Sequence, residues 1–127
     1  MSQYINLWNV SNIGEGVIEL TYISQYIALT GSEVTLDADI PFSIKLMRID
    51  LYQTTSADVD STNYLSYSIK YRRYGKFFTF YGDSASATVI SLDFEDRYQF
   101  MATTLRIALI GTSTNRIYPV ITLQKKG

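Results

Sequence analysis

From Val34 to Ile40 the side chains alternate without a break, with Val34, Leu36, Ala38 and Ile40 on one parity and Thr35, Asp37 and Asp39 on the other. Successive side chains of a strand point to opposite faces, so this run offers one face to a core and the other to water. Wound as a helix, the same residues would give no apolar stripe. The pattern recurs along the chain. Leu65, Tyr67, Ile69 and Tyr71 alternate with Ser66, Ser68, Lys70 and Arg72; Thr88, Ile90 and Leu92 with Val89 and Ser91; Leu105, Ile107 and Leu109 with Arg106 and Ala108. Clusters of Gly, Asn, Asp, Ser and Thr separate these runs, and no amphipathic helix interrupts them. The expectation is an all-β antiparallel β-sandwich of the jelly-roll or Ig-like kind, with about eight strands. An up-and-down barrel is the chief rival.

The punctuation locates the strand ends. Gly31-Ser32 marks a turn, Pro41 lacks a backbone donor and ends the strand before it, and Gly75 divides two strands that form a hairpin. The parity of the apolar positions changes near Leu46-Met47, as a β-bulge requires. Residues 53–63 are polar enough for an exposed loop, and Gly82 to Ser86 reads as another. Asp93 to Arg97 is a concentrated charge cluster, most economically a solvated turn. Pro119 argues for an edge strand or a bulge.

The first fourteen residues differ, with Tyr4, Ile5, Leu7, Trp8, Val10 and Ile13 set among three asparagines and no clear period. The segment is either a first strand that buries Trp8 or an arm lying on a neighbouring subunit, in which case those six residues form the interface. Residues 15–127 make one β-sandwich domain. A chain of 127 residues is long enough to bury a core of its own.

The chain has no histidine and no cysteine, against eleven tyrosines. That removes the residues most often used for proton transfer near neutral pH, for soft nucleophiles and for zinc. No catalytic residue, cofactor or metal site is expected. Asp93, Glu95 and Asp96 beside Phe94 invite comparison with the paired carboxylates of a glycosidase, but a local turn with Arg97 explains them more simply. Asp58, Asp60 and Asn63 have oxygen ligands spaced somewhat like a calcium loop; the glycine and glutamate that an EF-hand needs are replaced by Asn63 and Ile69. Lys70, Arg72, Arg73 and Lys76 interleave with Tyr71 and Tyr74, a mixture used in single-strand nucleic-acid grooves. A net charge of −1 supplies no long-range field for nucleic acid, so that partner is not expected. No apolar run is long enough to cross a bilayer, and the start Met1-Ser2-Gln3-Tyr4 lacks the features of a secretory signal, so synthesis in a host cytoplasm is expected. Exposed tyrosines and Trp8 could stack on sugar rings, which makes a carbohydrate-binding adhesin or receptor-binding module the alternative function.

Pro41-Phe42-Ser43-Ile44, the Ser/Thr-rich stretch after it, Leu65 to Tyr71, the run Leu105 to Leu109, and the short hairpin at Gly111 to Arg116 leading into Ile117 to Leu123 occur in an order that resembles small β-sandwich accessory proteins of tailed-phage virions. The likeness covers about two-thirds of the chain. Where those proteins commonly carry a Gly-Asp turn, this chain has Thr103-Thr104. The resemblance implies a non-enzymatic virion structural protein, a capsid decoration protein or a fibre or tail domain. It further implies homo-oligomers, trimers above all, with capsid or other virion proteins as partners and a terminal arm in the contact.

Overall fold

A computed structural model describes residues 5–126, the side chain of Asp96 excepted. Ten strands and no helix occur among these residues: β1 (Trp8–Gly14), β2 (Val17–Tyr22), β3 (Ile27–Ala28), β4 (Val34–Ile40), β5 (Ile44–Thr54), β6 (Tyr64–Arg73), β7 (Lys76–Ser86), β8 (Val89–Phe100), β9 (Thr103–Gly111) and β10 (Arg116–Lys125). The larger sheet runs β1-β2-β10-β5-β8, with β3 also beside β10; the smaller runs β4-β9-β6-β7. Every pairing is antiparallel.

The pairings β6 with β7, β5 with β8, β4 with β9 and β2 with β10 nest inside one another. The chain is therefore one long hairpin rolled into two layers, which is the jelly-roll order and decides between the two expected sandwich forms. Eight strands make the roll; β1 and the two-residue β3 are additions to its larger sheet.

Alternation places the core between the sheets. Leu36, Ala38 and Ile40 from β4 and Leu105, Ile107 and Leu109 from β9 meet Ile49 and Leu51 from β5 and Ile117, Ile121 and Leu123 from β10. Each such side chain contributes about 1.5–3 kcal/mol on burial. Close packing extends to the backbone at Gly111, where a Cβ would lie 2.9 Å from Leu29 Cδ1 and 3.1 Å from Leu65 Cδ1.

Pro41 follows the last residue of β4, and the β6–β7 hairpin turns on Tyr74-Gly75, both at positive φ (57° and 73°), as a tight two-residue turn requires. The expected bulge lies where the parity changes: β5 and β8 lose register between Leu46 and Arg48, and β5 and β10 lose it at the same step, between the pairs Leu46–Leu123 and Arg48–Thr122. On β8 the same step spans Asp93 to Tyr98, so the expected solvated turn is a bulge within a long strand. The bulge turns Phe94 into the core, and Glu95 takes a φ of 54° while its N–H donates to Asp93 Oδ1 at 2.9 Å.

Three further expectations are corrected. Gly82 to Ser86 is strand, held by register with Tyr64 to Ser68 despite its small residues. Strand β10 is central in its sheet. Pro119 is tolerated there because it falls in the gap between the partners β3, opposite residues 116–117, and β2, opposite 120–124. Residues 53–63 are only in part an exposed loop, because Gln53, Thr54 and Ser61 are buried.

Candidate functional site

Tyr52 of β5 and Tyr118 of β10 sit on the outward parity of their strands and are directly paired in register. Their ring centroids are 5.5 Å apart at 40°. Tyr26, immediately before β3, lies on the other side of Tyr118 at 5.5 Å and 52°. The result is a row of three tyrosines running across the larger sheet on its outer face. Arg116, two residues before Tyr118 and so on the same face, places its guanidinium 4.4 Å from the Tyr26 ring centroid. Val89, paired with Tyr52 and 57% exposed, prolongs the row toward the sheet edge.

The loop after β5 folds back over this row. Tyr118 donates its hydroxyl proton to Asp58 Oδ1 at 2.9 Å, and Tyr52 donates to Asp60 Oδ1. The loop is anchored from beneath by a buried polar cluster, in which Asn115 Nδ2 lies 3.0 Å from Gln53 Oε1, 3.0 Å from Ser61 Oγ and 3.1 Å from Asn63 Oδ1. An amide nitrogen has two protons for these three acceptors, so one bond is shared, and Ser61 Oγ also donates to Asn63 Oδ1 at 2.6 Å. On the far side of Tyr118 a cleft of about 410 Å³ continues the surface, with Asn9, Thr21 and Gln25 as its polar groups and Tyr22 and Val120 as apolar ones.

The hydrogen bond to Asp60 is the main cause that raises the Tyr52 pKa above its ordinary 10.0. The hydroxyl therefore stays a donor and the carboxylate an acceptor at neutral pH. Among the described residues, the second oxygen of Asp58 and of Asp60 takes no hydrogen bond. The surface thus combines aromatic rings with fixed carboxylates and a guanidinium. A pyranose presents the matching chemistry: apolar C–H faces that pack on rings, and hydroxyls that donate to carboxylates and accept from Arg.

The residues singled out in the sequence are distributed differently. Ile5 and Trp8, which the sequence leaves to either a buried first strand or an intersubunit arm, are 1% and 4% exposed and lie in this chain's own core. Trp8 Nε1 donates to the Asp37 carbonyl in the opposite sheet at 2.9 Å, and its ring meets Tyr22 edge-on at 5.3 Å. Residues 8–14 form edge strand β1, in which Ile13 is exposed and Val10 half-buried; Leu7, just before it, is exposed, and Tyr4 lies outside the described residues. Asp58 and Asp60 are brought together with tyrosines, while Asn63 is turned into the buried cluster, so the imagined calcium trio does not assemble. Lys70 pairs with Glu33 at 3.8 Å on the outer face of the smaller sheet, and Arg73 stacks on Tyr74 at the hairpin tip. Asp93 is committed to the backbone of Glu95. Tyr26, Arg116 and Tyr118 were not singled out by sequence; the outward parity of Tyr52 and Tyr118 was readable, but their register was not.

No protein-family model matches the chain, and no curated protein matches it significantly. Solved structures share its fold. A structure assigned as an alpha-L-fucosidase from Bacteroides thetaiotaomicron aligns with TM-score 0.54 and 16% identity over 80% of this chain, which spans only 22% of that protein. PirA aligns with TM-score 0.51 and 8% identity, covering 90% of this chain and 99% of PirA. The CBM32 of AlyQ, solved in complex with 4,5-unsaturated mannuronic acid, aligns with TM-score 0.50 and 14% identity over 95% of this chain and 97% of its own. At these identities the likeness is one of fold.

Proposed function

We propose that this chain is a non-catalytic glycan-binding domain whose site is the tyrosine row Tyr26-Tyr118-Tyr52 with Arg116, Asp58 and Asp60. The observation that carries the proposal is the row itself: three aromatic side chains set side by side on the solvent face of the sheet, where none is needed to cover the core. Two of their hydroxyls hold carboxylates at the rim of the row. The CBM32 of AlyQ supports the reading by analogy, since a jelly-roll-sized domain of the same architecture was captured with a sugar.

Jelly rolls form viral capsid and lectin domains alike, so strand order favours neither the virion reading nor this one. The aromatic surface does favour this one. The arm that a virion role would use has its anchors, Ile5 and Trp8, enclosed by the same chain. The deciding experiment is a glycan array followed by calorimetry on the strongest hit with wild type, Tyr118→Ala and Tyr26→Ala. Retention of a glycan, and a loss of about tenfold or more in affinity on removing either ring, is expected for aromatic anchors at a binding site. An array with no hit, or variants that bind like wild type, would refute the proposal.

A further inference from the structure

At the opposite end of the roll, the β6–β7 hairpin tip borders a cleft of about 430 Å³ lined by Tyr71, Arg72, Arg73, Gln99, Phe100 and Thr103, with no carboxylate in its wall among the described residues. Neither Arg72 nor Arg73 has an ion-pair partner among the described residues. Their guanidiniums are instead near rings, Arg72 6.0 Å from the Phe77 centroid and Arg73 5.0 Å from that of Tyr74. The contrast with Arg106 is plain, since that guanidinium is bound through two nitrogens to Asp37 at 2.7 and 2.9 Å. The same two arginines also line an adjoining cleft that contains an acid, Asp39, whose Oδ1 accepts from Thr104 Oγ1 at 2.5 Å.

Two features shape the cleft that holds Gln99. Thr103 Oγ1 donates to the Arg72 carbonyl at 2.8 Å and accepts from its N–H at 3.2 Å, which fixes the backbone that carries the two arginines. Tyr71 and Phe100, 5.2 Å apart, supply an aromatic wall backed by Phe80. Met101, also in its wall, is 82% exposed.

We infer that this cleft is a second binding site, for an anionic saccharide: the positive charge of the two unpaired arginines at its rim for a carboxylate or sulfate, the Gln99 amide for ring hydroxyls, and Tyr71 and Phe100 for the sugar's apolar face. Choosing a saccharide over other polyanions rests on the glycan-binding reading of the tyrosine row. The two sites lie toward opposite ends of the sandwich.

The test titrates the whole chain with oligogalacturonate, as the carboxylate source, and with dextran sulfate oligomers, as the sulfate source, at several salt concentrations. Binding of one or both is expected, weakening with salt and falling about tenfold or more in Arg72→Ala/Arg73→Ala. Tyr118→Ala should leave it unchanged, which separates this site from the tyrosine row. No binding of either anionic saccharide, or binding that survives loss of both arginines, would overturn the inference. Retention of single-stranded oligonucleotide or of anionic phosphatidylserine vesicles through the same arginines, with no saccharide bound, would overturn it too.

Discussion

Tyr52 and Asp60 act as one unit: the phenol donates a hydrogen bond to the carboxylate, and the carboxylate in turn holds the phenol protonated. The sign of the resulting pH dependence follows from the raised pKa. A group that keeps its proton more tightly in the folded state contributes its stability fully below the unfolded value of 10.0 and loses it as pH rises through the higher folded value. Neutral and mildly alkaline conditions therefore leave the loop docked on its tyrosine, and release comes only above about pH 10. An absorbance titration of tyrosinate should show late-ionising residues, Tyr52 and Tyr67, of which the Tyr52 component moves to lower pH in Asp60→Asn. A titration curve unchanged by Asp60→Asn would show that Asp60 does not hold this hydroxyl. At Asp58 and Tyr118 the geometry is similar, but the tilt between neighbouring rings differs along the row, 52° and then 40°. The three faces are stepped instead of coplanar.

Among elements, the loop after β5 depends most on a distant partner. Its base is the cluster around Asn115, which comes from the turn before β10, so two segments far apart in sequence are joined by side-chain amides in place of strand pairing. Asn115→Ala leaves Gln53, Ser61 and Asn63 short of a donor in a buried place, a loss of about 1–3 kcal/mol. Chemical denaturation should register that loss, and limited proteolysis should cut within residues 55–63 sooner than in wild type. Unchanged stability and unchanged cutting would mean that the cluster does not anchor the loop. The same cluster explains why residues 53–63 looked like a plain exposed loop: polarity signals solvent unless the buried partners are known, and those partners lie more than fifty residues away. Strands β4, β6 and β9 were legible because their alternation is strict, and so were the Tyr74-Gly75 turn and the bulge at Leu46. Gly82 to Ser86 was not, because register with β6 overrides the weak strand preference of small residues. Cross-strand register is likewise what aligns Tyr52 with Tyr118, and alternation within each strand carries no information about it.

For the molecule as a whole, nesting of four strand pairs gives the roll two usable ends and two outer faces. The tyrosine row lies near the end where β5 finishes and β10 begins, and the arginine cleft at the hairpin end where β6 finishes. Sandwich architecture was readable from alternation, but the order β2-β10-β5-β8 over β4-β9-β6-β7 was not, since it depends on which strands find one another across the chain. The N-terminal strand adds an edge to the larger sheet, and Trp8 ties that edge to β4 across the core. The central claim is that saccharide is held on the outer face of the larger sheet by Tyr26, Tyr52 and Tyr118. Its most direct test is a nuclear magnetic resonance titration of isotope-labelled protein with the glycan that an array selects. The account predicts that the largest shift changes fall on Tyr26, Tyr52, Arg116 and Tyr118 and spread into the loop carrying Asp58 and Asp60. Shift changes confined to other surfaces, or none at saturating glycan, would contradict it.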